Sequence, residues 1–291
     1  MATGKLSSLI LITLFFVSCS KNTGSGAPLE APEALPEALS QSAQVSQDTQ
    51  VTMEEDKSNL LLDILQRAEI PEDLADAIML SNQESPDFIM NLLEILGEEA
   101  ALRALVDKAH RLPDGYAPDD LVLLPREEAS YTVSRSGMYL RTPAEGALEE
   151  MAAAARADGI TLMASSTYRS YDYQVTVYNR IVDEMGVEAA DRESARPGYS
   201  QHQTGLVVDF GSITDAFAET RAGRWMASHA NEYGWSLSFP DGYEAITGYR
   251  WESWHYRYLG VPLCDFINQY FGGIQQYGLR FIYEWENNQN D

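Results

Sequence analysis

The chain has 291 residues, of which 45% are hydrophobic and 10% aromatic, and its formal net charge is −24. This length and composition are typical of a globular protein with one sizeable core. The strong negative charge argues against a nucleic-acid partner, because phosphate backbones are bound by basic surfaces. An anionic substrate would need a local arginine to receive it.

The first residues predict an export signal. Lys5 supplies a positive charge, and residues 9–17 form an apolar run that is too short for a transmembrane helix of about 20 residues. Ser18 and Cys19 follow, and the sequence FVSC resembles the lipobox of bacterial lipoproteins. We therefore expect residues 1–19 to be a lipoprotein signal with lipid attached to Cys19, which would hold an exported protein at the membrane. An ordinary signal peptide cut nearby is the alternative.

Two segments of different character follow the signal. Residues 20–57 are rich in Pro, Ala, Ser, Gln and Glu and contain no aromatic residue. Such a segment cannot bury enough apolar surface to offset its ordering entropy, so we predict a flexible tether. Across residues 58–110, apolar residues recur at helical spacing, which predicts a small helical appendage of three short helices. No pattern in this appendage indicates a catalytic site.

Residues 111–262 mix helical and strand patterns without strict alternation. Strands are predicted at 160–165 and at three later segments, GLVVDF, WSLSF and WHYRYLG, with helices between them. This arrangement favours an α+β fold in which helices flank an antiparallel sheet, preceded by the helical appendage. We assign residues 263–291 to a C-terminal extension.

His202 and Asp209 are the first residues that suggest chemistry. Asp209 interrupts the apolar run GLVVDF, and a carboxylate on a largely buried strand is costly unless it is paired, hydrogen-bonded or bound to a metal. For these two residues alone, a structural aspartate hydrogen-bonded near a loop histidine is the simpler explanation.

Glu252 and His255 add a second set of side chains, in WESWHYRYLG. Together the two sets contain two imidazoles and one carboxylate, which suit a catalytic zinc with three protein ligands, and a spare carboxylate that can act as general base. On a regular strand, residues 252 and 255 point to opposite faces. Both can reach one metal only if the chain bends between them.

Three motifs then occur in the order SSTYRSYDYQ, PGYSQHQTGLVVDF and ITGYRWESWHYRYLG. In order and spacing they resemble the D-alanyl-D-alanine carboxypeptidases of the VanY type, which are zinc peptidases of the wider family that includes the D,D-dipeptidases of vancomycin resistance. The resemblance spans about residues 111–262. It implies the α+β fold shared with the Hedgehog signalling domain.

Carried over position by position, the resemblance implies one zinc ion held by His202, Asp209 and His255, with Glu252 as the general base. Arg169 matches the arginine that faces the C-terminal end of the substrate, where its guanidinium can bind a carboxylate. We expect four further residues to line the substrate site: Ser200, Gln174, Tyr168 and Trp254.

Two residues depart from the family pattern. Thr167 stands where the family usually has glycine, and Ser253 stands where it usually has proline. Neither change removes a presumed ligand or the base, so we expect an active site, but the bend before His255 has to come from elsewhere. Arg257 shares a strand face with His255, and the sequence leaves open whether it supports the site or is a solvated or ion-paired side chain.

The function implied by the resemblance is that of a zinc-dependent D,D-carboxypeptidase, which removes the terminal D-Ala from peptidoglycan stem peptides. The alternatives are a D,D-dipeptidase or peptidoglycan endopeptidase of the same fold, and a non-catalytic wall-binding lipoprotein. We expect a monomer that binds the stem peptide, contacts the membrane through its N-terminal lipid only, and has no nucleic-acid partner.

Overall fold

The structure, a computed structural model, describes residues 57–288. The predicted signal, the lipid-bearing Cys19 and the tether, apart from residue 57, lie outside these residues. Within the described range, no helix has the length and apolar character that crossing a membrane requires.

The described chain opens with four helices: α1 (57–67), α2 (Glu72–Glu84), α3 (Asp87–Gly97) and the single-turn α4 (Ala100–Arg103). Pro71 and Pro86 directly precede α2 and α3. Proline is tolerated there because the first N–H groups of a helix have no partner within it. The later helices are α5 (Thr142–Ala157), α6 (Tyr171–Met185), α7 (Val187–Glu193), α8 (Arg221–His229), α9 (Glu244–Thr247), α10 (Val261–Tyr270) and α11 (Gln275–Asn288).

The first and last helices form one helical layer. Phe88 of α3 lies at its centre, with its ring centroid 5.3 Å from that of Phe266 in α10 and 5.5 Å from that of Phe281 in α11. All three rings belong to one continuous buried core. The predicted appendage (58–110) and the predicted C-terminal extension (263–291) therefore pack against each other, although the sequence analysis treated them separately.

A five-stranded sheet forms the other layer. Its order is β2 (Thr132–Val133), β4 (Met163–Ser166), β5 (Val207–Phe210), β7 (His255–Tyr258) and β6 (Trp235–Leu237), and β1 (Leu121–Leu124) pairs separately with β3 (Met138–Arg141). The sheet is antiparallel except at one edge, where β2 runs parallel to β4. The predicted α+β fold is confirmed.

The register of the central strands decides where side chains meet. Asp209 in β5 pairs with Ser166 of β4 on one side and with His255 of β7 on the other. A slip of one residue would turn Asp209 to the opposite face of the sheet. The pairing therefore brings together an aspartate and a histidine that are far apart in the sequence.

Arg257 joins the sheet to the helical layer. It is fully buried, and its Nη2 donates to the carbonyl oxygens of Leu102 at 3.1 Å and Ala104 at 2.8 Å, where α4 ends. Burial lowers the pKa of Arg257 to about 10, and within the described residues its Nε and Nη1 have no hydrogen-bond partner. Arg257 is therefore not a solvated side chain; it caps the end of α4.

Candidate active site

His202 lies on a 3-10 turn, Gln201–Thr204, directly before β5. The turn ends at Gly205, which has φ +72°, and a Cβ at this position would lie 2.8 Å from Arg141 Cγ. Glycine alone avoids both the backbone strain and the clash. His202 Nδ1 lies 2.8 Å from the carbonyl oxygen of Thr167. Because a carbonyl can only accept, Nδ1 carries the proton and Nε2 keeps its lone pair for the site.

Asp209 and His255 face His202 from the paired strands β5 and β7. Asp209 Oδ1 lies 3.1 Å from His255 Nδ1, and Asp209 Oδ2 lies 3.2 Å from His202 Nε2. One potential ligand atom from each of the three residues lies within 4.8 Å of the other two. Asp209 Oδ1 is buried and makes no hydrogen bond of good geometry in the described structure, an arrangement that a cation beside it would stabilise.

A turn brings Glu252 to the same place. The His255 N–H donates to the Glu252 carbonyl at 3.2 Å, which closes a β-turn over residues 252–255, and the Glu252 N–H donates to the Phe239 carbonyl at 3.0 Å. This turn is the bend that the sequence analysis required. Glu252 Oε2 consequently lies 3.3 Å from His255 Nδ1, although Ser253 occupies the position of the usual proline.

Burial and neighbouring charges shift the pKa values of the ionisable side chains in this cluster. Burial raises the pKa of Glu252, against the opposing effect of His255. Burial and then the positive charge of Arg169 lower the pKa of His202 to about 4, so its imidazole is neutral at pH 7. Burial also disfavours the charged form of His255, but its close contacts with the carboxylates of Asp209 and Glu252 outweigh burial and raise the pKa of His255 to about 9. Metal binding would release this proton.

Arg169 reaches into the site from the segment between β4 and α6. Its Nη2 lies 3.0 Å from Asp209 Oδ2 and 3.0 Å from His202 Nε2, and its Nε donates to Ser166 Oγ at 3.1 Å. Its side chain is 16% exposed, so the guanidinium adjoins both the cluster and the cleft in front of it.

Gln174 lies behind this arginine. It is fully buried on α6, where its Oε1 accepts from Arg169 Nη1 at 3.3 Å and its Nε2 donates to the Ala195 carbonyl at 2.7 Å. From its motif position, Gln174 was expected to help line the substrate site. In the structure its amide contacts Arg169 and the backbone, because the helix turns this face toward the protein interior.

The cluster opens into a cleft of about 450 Å³, which Arg169, Ser200 and Trp254 help to line. On one side, α6 contributes an apolar wall of residues four apart: Val177, Ile181 and Met185. Tyr168 is not among the residues that line this cleft. It is half-buried, and its N–H donates to the Tyr139 carbonyl at 3.0 Å.

Two contacts of the site could not be read from the sequence. The carbonyl of Thr167 orients His202, whereas the sequence analysis noted Thr167 only as a departure from glycine. Gln201 Oε1 lies 3.2 Å from His255 Nε2. In the sequence Gln201 is next to His202, which would suggest a contact with His202 and not with His255.

The donor set fits zinc. Two imidazole nitrogens and one carboxylate converge, and each imidazole uses its other nitrogen in a hydrogen bond to an oxygen acceptor, Thr167 O or Gln201 Oε1. Catalytic zinc sites usually have three such ligands with acceptors behind the histidines.

The chain matches known proteins over the segment that carries these residues. A family model described as VanY, D-alanyl-D-alanine carboxypeptidase, matches residues 137–261. The chain is 36% identical over 191 residues to the putative carboxypeptidase YodJ of Bacillus subtilis. The aligned segment covers 64% of this chain and 70% of the relative.

Two solved structures are similar in sequence and in fold. One is the LdcB LD-carboxypeptidase, at 34% identity and a TM-score of 0.53, covering 60% of this chain and 86% of that one. The other is a mutant of the vancomycin-resistance D,D-pentapeptidase VanY in complex with Zn(II), at 27% identity and a TM-score of 0.50, covering 62% of this chain and 98% of that one.

The resemblance predicted from the three motifs is confirmed. The family match contains the segments of Arg169, His202, Asp209, Glu252 and His255, and this chain covers 70% of the putative carboxypeptidase YodJ. The chain therefore belongs to the VanY family of D-alanyl-D-alanine carboxypeptidases.

Proposed function

We propose that the protein is a zinc-dependent D,D-carboxypeptidase that removes the terminal D-Ala from peptidoglycan stem peptides. One observation carries the proposal: His202, Asp209 and His255 converge within 4.8 Å, and Glu252 Oε2 lies 3.3 Å from His255 Nδ1. The VanY relative in complex with Zn(II) supports the choice of metal.

His202, Asp209 and His255 would hold one zinc ion. Zinc, when bound, lowers the pKa of water and polarises the scissile carbonyl. Glu252 accepts the proton of the attacking water and returns it to the leaving nitrogen of D-alanine. Burial raises the pKa of Glu252, which brings it closer to the neutral range where a general base works best.

Arg169 receives the terminal carboxylate of the substrate. A guanidinium can make two parallel hydrogen bonds to a carboxylate, and this geometry selects a chain end over an internal peptide bond. It also supplies a local positive charge in a protein whose net charge is −24. Gln174 Oε1, 3.3 Å from Arg169 Nη1, helps to hold the guanidinium at the cleft.

The test compares Glu252→Gln with Glu193→Gln, since Glu193 also lines the cleft but binds Arg250. With a pentapeptide ending in D-Ala-D-Ala, we expect Glu252→Gln to lower the rate of D-Ala release about 10²–10⁴-fold while zinc content is unchanged. Glu193→Gln should keep the wild-type rate. Release by Glu252→Gln at the wild-type rate, or by wild type in excess chelator, would exclude the mechanism.

An L,D-carboxypeptidase is a second candidate. The LdcB LD-carboxypeptidase is 34% identical to this chain, against 27% for the VanY D,D-pentapeptidase. Both activities release a C-terminal D-Ala, but the residue before the bond has the D configuration in one case and the L configuration in the other. Cleavage of a stem tetrapeptide in preference to the pentapeptide would favour the L,D activity.

Product masses separate the remaining alternatives. A D,D-dipeptidase acts on free D-Ala-D-Ala, an endopeptidase lowers the mass of cross-linked fragments by cutting inside them, and a wall-binding lipoprotein binds sacculi without turnover. The catalytic proposal requires free D-Ala as the product, with the rest of the stem peptide intact.

We also propose that the protein acts outside the cytoplasm, as a monomer anchored by lipid at Cys19. The support for export and anchoring is the lipobox-like sequence, and the peptidoglycan stem peptide proposed above as substrate also lies outside the cytoplasm. Metabolic labelling with a radioactive fatty acid should label the wild-type protein but not Cys19→Ala. Absence of label in the wild type, or equal label in the variant, would exclude the lipid anchor.

A further inference from the structure

Gln201 precedes His202 in the chain, but its side chain contacts the other histidine of the site. Its Oε1 lies 3.2 Å from His255 Nε2, and the residue is 5% exposed. Nothing in the proposed mechanism uses this buried amide. Its contacts determine which nitrogen of His255 faces Asp209 and Glu252.

Two neighbours fix the orientation of the amide. Gln201 Nε2 donates to the Val106 carbonyl at 3.4 Å, and Gln201 Oε1 accepts from Ser238 Oγ at 2.8 Å. Because a carbonyl can only accept, the NH₂ group must face Val106 and the amide oxygen must face Ser238 and His255. The His255 nitrogen opposite that oxygen therefore carries a proton.

We propose that Gln201 is a positioning residue that holds the zinc ligand His255 with Nδ1 toward the metal. His255 Nε2–H donates to Gln201 Oε1, which leaves Nδ1 on the side of Asp209 Oδ1 (3.1 Å) and Glu252 Oε2 (3.3 Å). This inference rests on the proposed function, since it requires that the cluster bind zinc. Partners of this kind typically change metal affinity 10–100-fold.

The arrangement also connects the helical layer to the site. Val106 follows α4 in the chain and is itself buried, and its carbonyl holds the amide that orients His255. The N-terminal segment is thus part of the support of the metal centre, in addition to packing against the last two helices.

Three variants separate positioning from ordinary packing. Gln201→Met removes all three hydrogen bonds of the amide, those with Val106, Ser238 and His255. Gln201→Glu keeps an acceptor for His255 but loses the donor to Val106. Gln203→Met is the matched control, since Gln203 lies on the same turn, is 2% exposed and donates to the Tyr116 carbonyl at 3.0 Å, and its side chain makes no hydrogen bond to a histidine within the described residues.

The readouts are zinc affinity, measured by chelator competition, and the visible spectrum of the Co(II)-substituted protein. We expect Gln201→Met to bind zinc about 10–100-fold more weakly and to change the cobalt spectrum. Gln201→Glu should lower the Tm of the metal-free protein yet retain zinc affinity and spectrum. Gln203→Met should also retain both, whatever its Tm.

Wild-type zinc affinity and an unchanged cobalt spectrum in Gln201→Met would overturn this inference alone. An equal loss of affinity in Gln203→Met would overturn it as well, because general packing would then account for the effect. If Gln201→Met does not fold, Gln201→Glu decides: tenfold weaker zinc binding in that variant rejects the role. A wild-type chain that binds no zinc overturns the proposed function and this inference together.

Discussion

His202 and His255 present different ring nitrogens to the same cluster, and in each case an acceptor behind the ring determines which one. The Thr167 carbonyl takes the Nδ1 proton of His202, and the Gln201 amide oxygen takes the Nε2 proton of His255. The remaining ring nitrogens, His202 Nε2 and His255 Nδ1, both face Asp209, whose two oxygens lie 3.2 and 3.1 Å from them. The orientation of both imidazoles thus depends on oxygen acceptors that lie outside the proposed set of metal ligands.

At the same scale, Arg169→Lys tests recognition of the substrate terminus. Lysine keeps the charge but loses the planar pair of donors, so we expect kcat/KM for an acid-terminated peptide to fall about 10–100-fold. The kcat/KM for a peptide with an amidated C-terminus should fall little, because that peptide offers no carboxylate for Arg169 to bind.

Arg180→Lys is the control, because Arg180 also lines the cleft but is exposed and pairs with Glu184. Arg180→Lys should leave the preference for the acid-terminated peptide over the amidated peptide unchanged. If Arg169→Lys lowered the rates for both peptides equally, the arginine would have some role other than binding the carboxylate.

At the scale of the elements, strand register and one turn assemble the site. Pairing of β5 with β7 sets Asp209 opposite His255, and the turn over residues 252–255 brings Glu252 back beside them. Ser253 is the second residue of this turn, a position at which proline is favoured. Its N–H donates to no backbone acceptor in the described chain, so the turn forms without the proline usual in the family.

Ser253→Pro should therefore keep the D-Ala release rate and raise the free energy of unfolding by about 0.4–1 kcal/mol, because proline restricts the unfolded chain. Urea unfolding of the metal-free protein measures the change. Ser253→Ala is the control for the weak hydroxyl bond to the Asp215 carbonyl, at 3.5 Å. A folded Ser253→Pro protein without activity would mean that proline distorts the turn here.

At the scale of the whole molecule, buried polar groups join the two layers. Arg257 caps α4 from strand β7, and Asp107 links the following segment to α11. Asp107 Oδ1 accepts from the backbone N–H of Ala109 at 2.8 Å, and Oδ2 accepts from Gln276 Nε2 at 2.6 Å. Burial alone would raise the pKa of Asp107, but its hydrogen bonds outweigh burial and lower it.

The lowered pKa gives a pH-dependent prediction for Asp107→Asn. A carboxyl with a depressed folded pKa stabilises the fold above its unfolded pKa, and this stabilisation is lost as pH falls through the folded value. At pH 7 we expect Asp107→Asn to lower the free energy of unfolding by about 1–3 kcal/mol. The difference from wild type should shrink below a pH of about 4.

Urea unfolding at several pH values measures this difference, with Asp114→Asn as the control. Asp114 is exposed, and among residues 57–288 its one ion pair is with Arg111 at the surface, so its replacement should change stability little at any pH. A difference between wild type and Asp107→Asn that stayed constant down to pH 2 would contradict the role of the Asp107 charge.

Much of the candidate site could be predicted because its chemistry lies in side-chain types and short spacings. The family match confirms the resemblance seen in the three motifs, and the structure brings His202, Asp209, Glu252 and His255 together. Substrate contacts were harder to predict, since Gln174 occupies a motif position but faces the interior. A motif gives the order of residues but not the direction in which a helix turns each side chain.

The sequence alone determined the chemical inventory: two histidines, an aspartate and a glutamate in a family pattern, a cationic Arg169 in an acidic chain, and an apolar N-terminal run before Cys19. Only the tertiary structure decided how these groups are arranged. Strand register, the carbonyls of Thr167 and Val106, and the packing of the first helices on the last ones are all long-range. Every residue has a backbone carbonyl, so no sequence pattern marks the few that orient a side chain.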